Sequence, residues 1–197
     1  WTMTLGPLAH AWDKKDFKEV FPSKDVPFMG EYVGSWTNEK TVPEAAAFVI
    51  GHGNDEYRVI ITTHLDMRSP ILLDTVVKAE KGKLTFKEGD LFGEIDDKKG
   101  TFIGGLGDKK TFEMKKVNRT SVYAHRAPID GADVLYDGNG FDQWQDPTGW
   151  VELDNDVMMV TPDGGYLISK NVYTDLTLHA EFRLSYMPRD RGQGRSN

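Results

Sequence analysis

The sequence predicts an all-β protein in which a small antiparallel meander β-barrel precedes the N-terminal part of a sandwich of β-sheets. Short segments rich in β-branched and aromatic residues recur between residues 29 and 117, which is typical of strands. Turns containing glycine, asparagine or aspartate separate these segments. Short connections favour antiparallel neighbours, and closing the sheet into a barrel removes its exposed edges.

Eight strands are expected in the barrel. Alternation of apolar and polar residues supports these strands. In the last strand Phe112 and Met114 fall on one face, and Glu113 and Lys115 fall on the other, so we expect one face to be buried and the other to be exposed to solvent. The predicted strands cover residues 31–37, 46–51, 57–63, 72–79, 83–87, 91–95, 100–104 and 111–117.

The first strand contains Gly34-Ser35-Trp36, which resembles the signature of lipocalin-type barrels, where the tryptophan closes one end and a late arginine packs on it. We assign Trp36 to the core and Arg119 to the role of that arginine. A domain of only about 90 residues favours an interior filled by side chains over a ligand cavity.

These patterns divide the chain into four parts. Residues 1–28, with Pro7, Pro22 and Pro27, form an irregular arm that holds a short helix near residues 8–20. The barrel follows at 29–119, and a linker at 120–133 contains an Ala-Pro step that avoids helical geometry. Residues 134–197 form the sandwich-like part.

Composition and charge limit the functions that the chain can have. Zero cysteines excludes disulfides and thiolate chemistry, and the scattered histidines lack metal-ligand spacing, so no metal or cofactor is expected. The net charge is −7 with dispersed basic residues, which argues against a nucleic-acid partner. No segment approaches the roughly 18 to 20 apolar residues of a membrane span.

Position 1 is tryptophan, so we expect an upstream segment. Either a removed signal peptide or an expression boundary explains this start, and the former predicts a periplasmic or secreted protein.

The most informative polar residues lie at residues 176–185, where apolar and polar side chains alternate. This pattern predicts a half-buried strand that displays His179, Glu181 and Arg183 at intervals of about 6.5 to 7 Å on its open face. A proton carrier, a carboxylate and a fixed cation would thus stand in one row, although a surface ladder of charges has the same pattern. The glycine-rich loop that follows adds arginines suited to hydroxyls or carboxylates, among them Arg189 and Arg195.

Trp150 has two interpretations that the sequence leaves open. An exposed indole stacks on the apolar face of a sugar ring, and a buried one packs between the sheets of a sandwich.

Several pieces of the second part carry a common pattern: VLYDGNGFDQW, a Trp-Val-Glu-Leu-Asp strand, a turn with Gly164-Gly165, DLTLHAEFRLSY and RGQGRSN. Together they resemble the opening half of the 3-keto-disaccharide hydrolase domain, a bacterial, largely extracytoplasmic family with a concanavalin-like jelly roll. The resemblance covers residues 134–197, about a third of the chain. The barrel looks like the accessory β-domain that precedes such domains in exported bacterial proteins.

The resemblance implies a carbohydrate substrate oxidised at carbon 3, whose glycosidic bond is cleaved by elimination and hydration. Glu181 and His179 are then candidate catalytic bases, and Arg183 is a candidate partner of an enolate or hydroxyl. Residues expected to bind substrate are Arg183, Arg189, Arg195, Asn197 and Trp150.

The family pattern continues beyond Asn197, where this sequence ends. We therefore expect a partial jelly roll, completed by the remainder of the domain or by a second chain, and inactive alone. The rival interpretation is a non-catalytic carbohydrate-binding or protein-interaction β-module.

Overall fold

The computed structural model describes residues 27–37, 44–65, 69–108, 110–154 and 156–194. The predicted arm and its helix fall outside these residues, apart from the last residues of the arm. The described residues form two compact units: one contains residues 27–122 together with 184–194, and the other is Tyr123–Arg183. The first unit thus includes residues from Leu184 onward, which the sequence had placed with the sandwich-like part.

The first unit contains a closed antiparallel barrel of eight strands in sequential order. The observed strands begin and end within two residues of the predicted ones, so the predicted barrel is confirmed. Each strand pairs with the next, and β8 returns to pair with β1. The strands are β1 Gly30–Trp36, β2 Ala45–Gly53, β3 Glu56–Thr62, β4 Ile71–Glu80, β5 Lys83–Glu88, β6 Leu91–Asp96, β7 Thr101–Leu106 and β8 Lys110–Val117.

Two-residue turns connect the strands of two hairpins. Asn54 and Asp55 connect β2 to β3 with φ of 55° and 61°, and Lys81 and Gly82 connect β4 to β5 with φ of 50° and 77°. Positive φ at both central positions defines a type I′ turn, whose twist matches that of the strands it joins. Asparagine, aspartate and glycine adopt this conformation at low cost, which is why they mark the turns in the sequence.

Side chains fill the barrel interior, as predicted. Tyr32, Phe102 and Phe112 are almost fully buried, and Phe102 meets the other two edge-on with ring centroids 5.9 and 5.3 Å apart. The Tyr32 hydroxyl donates to the Phe28 carbonyl at 2.9 Å, and burial raises the pKa of Tyr32 to about 12. Trp36 is buried against Phe112, which confirms its assignment to the core.

Arg119 does not play its predicted role. Its Nε lies 2.5 Å from a carboxylate oxygen of Glu31, and its Nη2 lies 2.6 Å from the other. Glu31 is the second residue of β1, and Trp36 is its last. The ion pair with Glu31 therefore holds Arg119 near the start of β1, at the opposite end of the strand from Trp36. A two-point bond to a carboxylate is the stronger use of a guanidinium.

The second unit is mostly irregular, and its described residues contain one paired hairpin. β9 (Trp150–Leu153) pairs with β10 (Val157–Val160), and an isolated bridge joins Trp144 to Ser169.

The predicted half-buried strand at residues 176–185 is not formed. The segment forms no regular secondary structure and pairs with none of the described strands, and its leucines and Phe182 are exposed. Alternation determines which side chains share a face, whereas a strand also requires a neighbouring backbone.

In the part of the chain that is described, no helix has the length and apolar character that crossing a membrane would require.

Candidate functional site

The two predicted catalytic residues are in direct contact. Nε2 of His179 lies 3.1 Å from Oε1 of Glu181. Residues two apart in an extended chain project to the same side with their Cβ atoms about 6.5 to 7 Å apart, a gap that an imidazole and a carboxylate together span. The local pattern of the sequence therefore suffices to place this pair.

A third residue, His125, completes the arrangement. Its backbone N–H donates to Oε1 of Glu181 at 2.5 Å, and its Nδ1 lies 3.7 Å from Oε2 of the same carboxylate. His125 has a φ of 56°, in the left-handed region, where histidine is among the enriched residues. We call His125, His179 and Glu181 the His–Glu–His cluster.

His125 was not predicted as a site residue. It lies 56 positions before Glu181, inside the segment interpreted as a linker. A single histidine in an aperiodic segment carries no spacing signal. The positive φ and the contact with Glu181 become visible only in the folded chain.

Hydrogen bonds set the charge of the cluster. The His125 N–H, and then the His179 ring, lower the pKa of Glu181 because both favour the ionised carboxylate. Glu181 is therefore charged at neutral pH and is a better acceptor than base. The ionised carboxylate of Glu181 lies beside Nε2 of His179, so it favours the neutral imidazole tautomer that is protonated on Nε2. Nδ1 of His179 then carries a free lone pair.

All three side chains remain accessible to solvent. The exposed fraction is 52% for His179, 43% for Glu181 and 86% for His125. A small molecule can therefore reach the imidazole of His179 without rearrangement of the core. Arg183 follows Glu181 by two residues and is also exposed.

Arg189 belongs to the unit of the barrel, where its side chain covers Gly53 so closely that a Cβ there would lie 2.7 Å from its Cγ. Arg195 and Asn197 lie outside the described residues.

Trp150 lies in β9, half-buried, and its Nε1 donates to the Gly165 carbonyl at 3.1 Å. This bond fixes the indole in the second unit, and a half-buried ring is compatible with both of its interpretations.

Within the described residues, no group of three or more histidine, aspartate or glutamate side chains is arranged to hold a metal ion. The His–Glu–His cluster instead has the contacts of a hydrogen-bonded acid–base group, with one carboxylate shared between two histidines.

Comparison with known proteins gives no relative from which a function could be carried over. No protein-family model matches the chain, and no curated protein and no solved structure matches it.

Proposed function

We propose that this chain is part of a carbohydrate-active hydrolase that acts on 3-keto-glycosides, with the His–Glu–His cluster as its acid–base group. The observation that supports this proposal is the contact of an ionised Glu181 with Nε2 of His179 on an accessible surface. A carboxylate that orients an imidazole is a recurrent device for making histidine a base near neutral pH. The proposal includes a jelly-roll fold for the second unit and a periplasmic or secreted location.

The first step is removal of a proton. A ketone at carbon 3 of the sugar acidifies the hydrogen on carbon 2. Nδ1 of His179 takes that proton, and the electrons of the C–H bond move to the ketone oxygen to form an enolate. Glu181 stabilises the imidazolium that results, and Arg183 offers a positive charge to the enolate.

The second step expels the aglycone. The enolate reforms the ketone, a double bond forms between carbons 1 and 2, and the bond from carbon 1 to the glycosidic oxygen breaks. The leaving oxygen takes the proton from His179. Addition of water then places a hydroxyl on carbon 1 and a hydrogen on carbon 2, so the net reaction is hydrolysis.

His125 serves as a positioning residue in this scheme. Its backbone N–H holds Oε1 of Glu181, the same oxygen that faces His179. The Glu181 carboxylate is thereby fixed in the orientation that accepts a hydrogen bond from Nε2–H of His179. Fixing such a partner sets the tautomer and direction of an imidazole.

A non-catalytic carbohydrate-binding module is the second candidate, because the second unit also exposes aromatic rings. Tyr166 is 92% exposed and Phe182 is 85% exposed. Exposed rings of this kind stack on the apolar faces of sugars and need no acid–base group.

The exposed apolar side chains at residues 176–182 also support the proposed completion of the sandwich. Leu176, Leu178 and Phe182 alternate with polar residues and are all exposed. Such a row is what a neighbouring sheet covers. We propose that the remainder of the same domain, or a second chain, covers it.

The enzymatic proposal is tested by incubating the full-length protein with a 4-nitrophenyl 3-keto-glucoside and following release of nitrophenol. We expect nitrophenol release above the buffer rate. The rate should fall at least about tenfold in His179→Gln, which removes the base, and in Glu181→Gln, which removes the carboxylate that orients it. Asp146→Asn is the matched control, since Asp146 is another carboxylate that accepts a backbone N–H in the same unit.

Wild-type release equal to buffer, with retained affinity for the sugar, would favour the binding module instead. Equal loss in the Asp146→Asn variant would show that the effect is not specific to the cluster.

A further inference from the structure

The barrel has one weakly paired seam, between β4 and β5. Only two residue pairs join these strands, Ala79 with Leu84 and Glu80 with Lys83. Every other pair of neighbouring strands shares five to seven. β4 has ten residues, so most of its length lacks a partner on this side.

The geometry of the hairpins shows which backbone groups face the seam. The two-residue turn makes Glu80 and Lys83 the hydrogen-bonded pair. The N–H of Ala79 donates to the Asp55 carbonyl at 2.8 Å, so it points toward β3. Because the direction alternates along a strand, the N–H and C=O of Lys78 and Val76 point toward β5.

The same alternation applies to β5, where Thr85 and Lys87 direct their backbone groups toward β4. Ala79 and Leu84 form a non-hydrogen-bonded pair, so the Thr85 N–H donates to the Lys78 carbonyl. A continued ladder would add the reverse bond from the Lys78 N–H to Thr85 and a pair of Val76 with Lys87, and neither is present. The seam therefore presents the Lys78 N–H and both backbone groups of Val76 on one side, and the Thr85 carbonyl and both backbone groups of Lys87 on the other.

A cleft opens at the seam. It has a volume of about 420 Å³, and the residues that line it include Val76, Lys78, Glu80, Lys83, Thr85 and Lys87. Alternation along β4 and β5 puts these six side chains on the outer face of the barrel, away from the buried Val77 and Phe86. We call the junction of β4 and β5, together with this cleft, the β4–β5 seam.

The charge of the seam is mostly positive. It contains three lysines and one glutamate, in a chain whose net charge is −7. Lys83 is neutralised by Glu94, whose carboxylate oxygen lies 2.7 Å from its Nζ. Lys78 and Lys87 form no ion pair with other residues in the described ranges. An occupant with acidic side chains would complement them.

We propose that the β4–β5 seam binds an extended acidic peptide, which adds to the free edge of β4. Its backbone pairs with the N–H and C=O groups of Val76 and with the N–H of Lys78, and its acidic side chains meet Lys78 and Lys87. Main-chain hydrogen bonds give affinity in this mode of recognition, and alternate side chains give selectivity. The site belongs to the barrel and is independent of the proposed catalytic function.

The test uses a fluorescently labelled peptide, acetyl-Glu-Val-Glu-Val-Glu-Val-amide, and fluorescence polarisation with the whole chain. We expect saturable binding that is at least about tenfold tighter than that of the corresponding Lys-Val peptide, and at least about tenfold tighter than that of a form methylated on alternate backbone nitrogens. Equal binding of the three peptides would overturn the proposal, as would the absence of saturable binding.

Two variants locate the binding to the seam. Val76→Pro removes a backbone donor that β3 does not use, and proline is tolerated at such an edge position. Lys87→Glu reverses a charge on the other side of the seam. Each should weaken binding at least about tenfold, whereas Lys115→Glu, an exposed lysine on β8, should leave it within about twofold.

Amide hydrogen exchange gives a readout that does not depend on the variants. The N–H groups of Val76 and Lys78 should exchange quickly in the free protein and be slowed by the acidic peptide. The proposed site would be contradicted if the peptide did not slow exchange of these N–H groups, or if it slowed exchange only outside β4 and β5.

Discussion

Oε1 of Glu181 lies 3.1 Å from Nε2 of His179 and also accepts the backbone N–H of His125. One carboxylate oxygen thus joins two parts of the chain that are 56 residues apart. The contact with His179 is local, whereas the contact with His125 requires the fold of the whole unit. The orientation of His179 is therefore tied to the integrity of that unit.

The pKa of Glu181 should reveal this cluster in solution. NMR titration of the side-chain carboxyl carbons should give a pKa below the usual value for Glu181, and His179→Ala should raise it because one of the bonds to the ionised form is lost. The pKa of Asp146, lowered by its hydrogen bonds to Thr148, should not change in the variant. An unchanged Glu181 pKa in His179→Ala would mean that the side chains do not interact.

The same shift predicts how the cluster contributes to stability. A depressed folded-state pKa contributes stability in full above the unfolded-state pKa, and the contribution is lost as pH falls through the folded-state value. Unfolding in urea across the acidic range should therefore show a smaller acid-induced loss of stability in Glu181→Gln than in the wild type. An identical loss would contradict the shift.

The filled interior predicts a large penalty for deleting a core ring. Phe102 is almost fully buried and contacts Tyr32, Phe86 and Phe112, so Phe102→Ala should lower the free energy of unfolding by about 3 to 5 kcal/mol. Phe92→Ala, on the outer face of β6, should cost about 1 kcal/mol or less. Urea denaturation measures both, and similar losses would show that the interior is not packed as described.

Close approach of β1 and β8 makes Gly34 a sensitive position. A Cβ at Gly34 would overlap the carbonyl oxygen of Glu113, a backbone atom that cannot turn aside. Gly34→Ala should therefore destabilise the barrel by about 1 to 3 kcal/mol or more. Ser35→Ala at the neighbouring exposed position should change stability by no more than about 0.5 kcal/mol. Thermal unfolding with no difference between the two would contradict this register.

Arg58 and Asp74 form a two-point ion pair across β3 and β4, with N–O distances of 2.6 and 2.5 Å. The hydrogen bonds from Arg58 lower the pKa of Asp74, but both side chains are more than a third exposed, so solvent screens the interaction. A double-mutant cycle with alanine should give a coupling of about 0.5 to 1 kcal/mol that shrinks in 1 M salt. A coupling that does not depend on salt would indicate a contribution from packing rather than charge.

The barrel could be predicted from the sequence because its signals are local. Alternation located the strands, and pairs such as Asn54-Asp55 and Lys81-Gly82 marked hairpins whose backbone requires positive φ. Sequential pairing then left few topologies to choose from. The weak seam between β4 and β5 was not predictable, because nothing in Leu84 or Thr85 signals that the ladder ends between them.

The second unit was predicted less well, for a physical reason. Alternation at residues 176–185 identified the row that contains His179 and Glu181, but not whether a neighbouring strand was present to pair with it. Arg119 illustrates the same difficulty. The sequence shows that it is a cation, but its pairing with Glu31 depends on contacts made only in the folded chain. His125 joins the cluster only through a contact over long sequence separation.

We propose that His179, held by Glu181, removes the proton on carbon 2 of a 3-keto-sugar. Proton NMR of 3-keto-glucose in deuterated buffer, with the full-length protein present, measures how fast that hydrogen exchanges for deuterium. We predict exchange faster than in buffer alone for the wild type and for Asp146→Asn, and at the buffer rate for His179→Gln. Exchange by the wild type at the buffer rate, or undiminished exchange in His179→Gln, would contradict the claim.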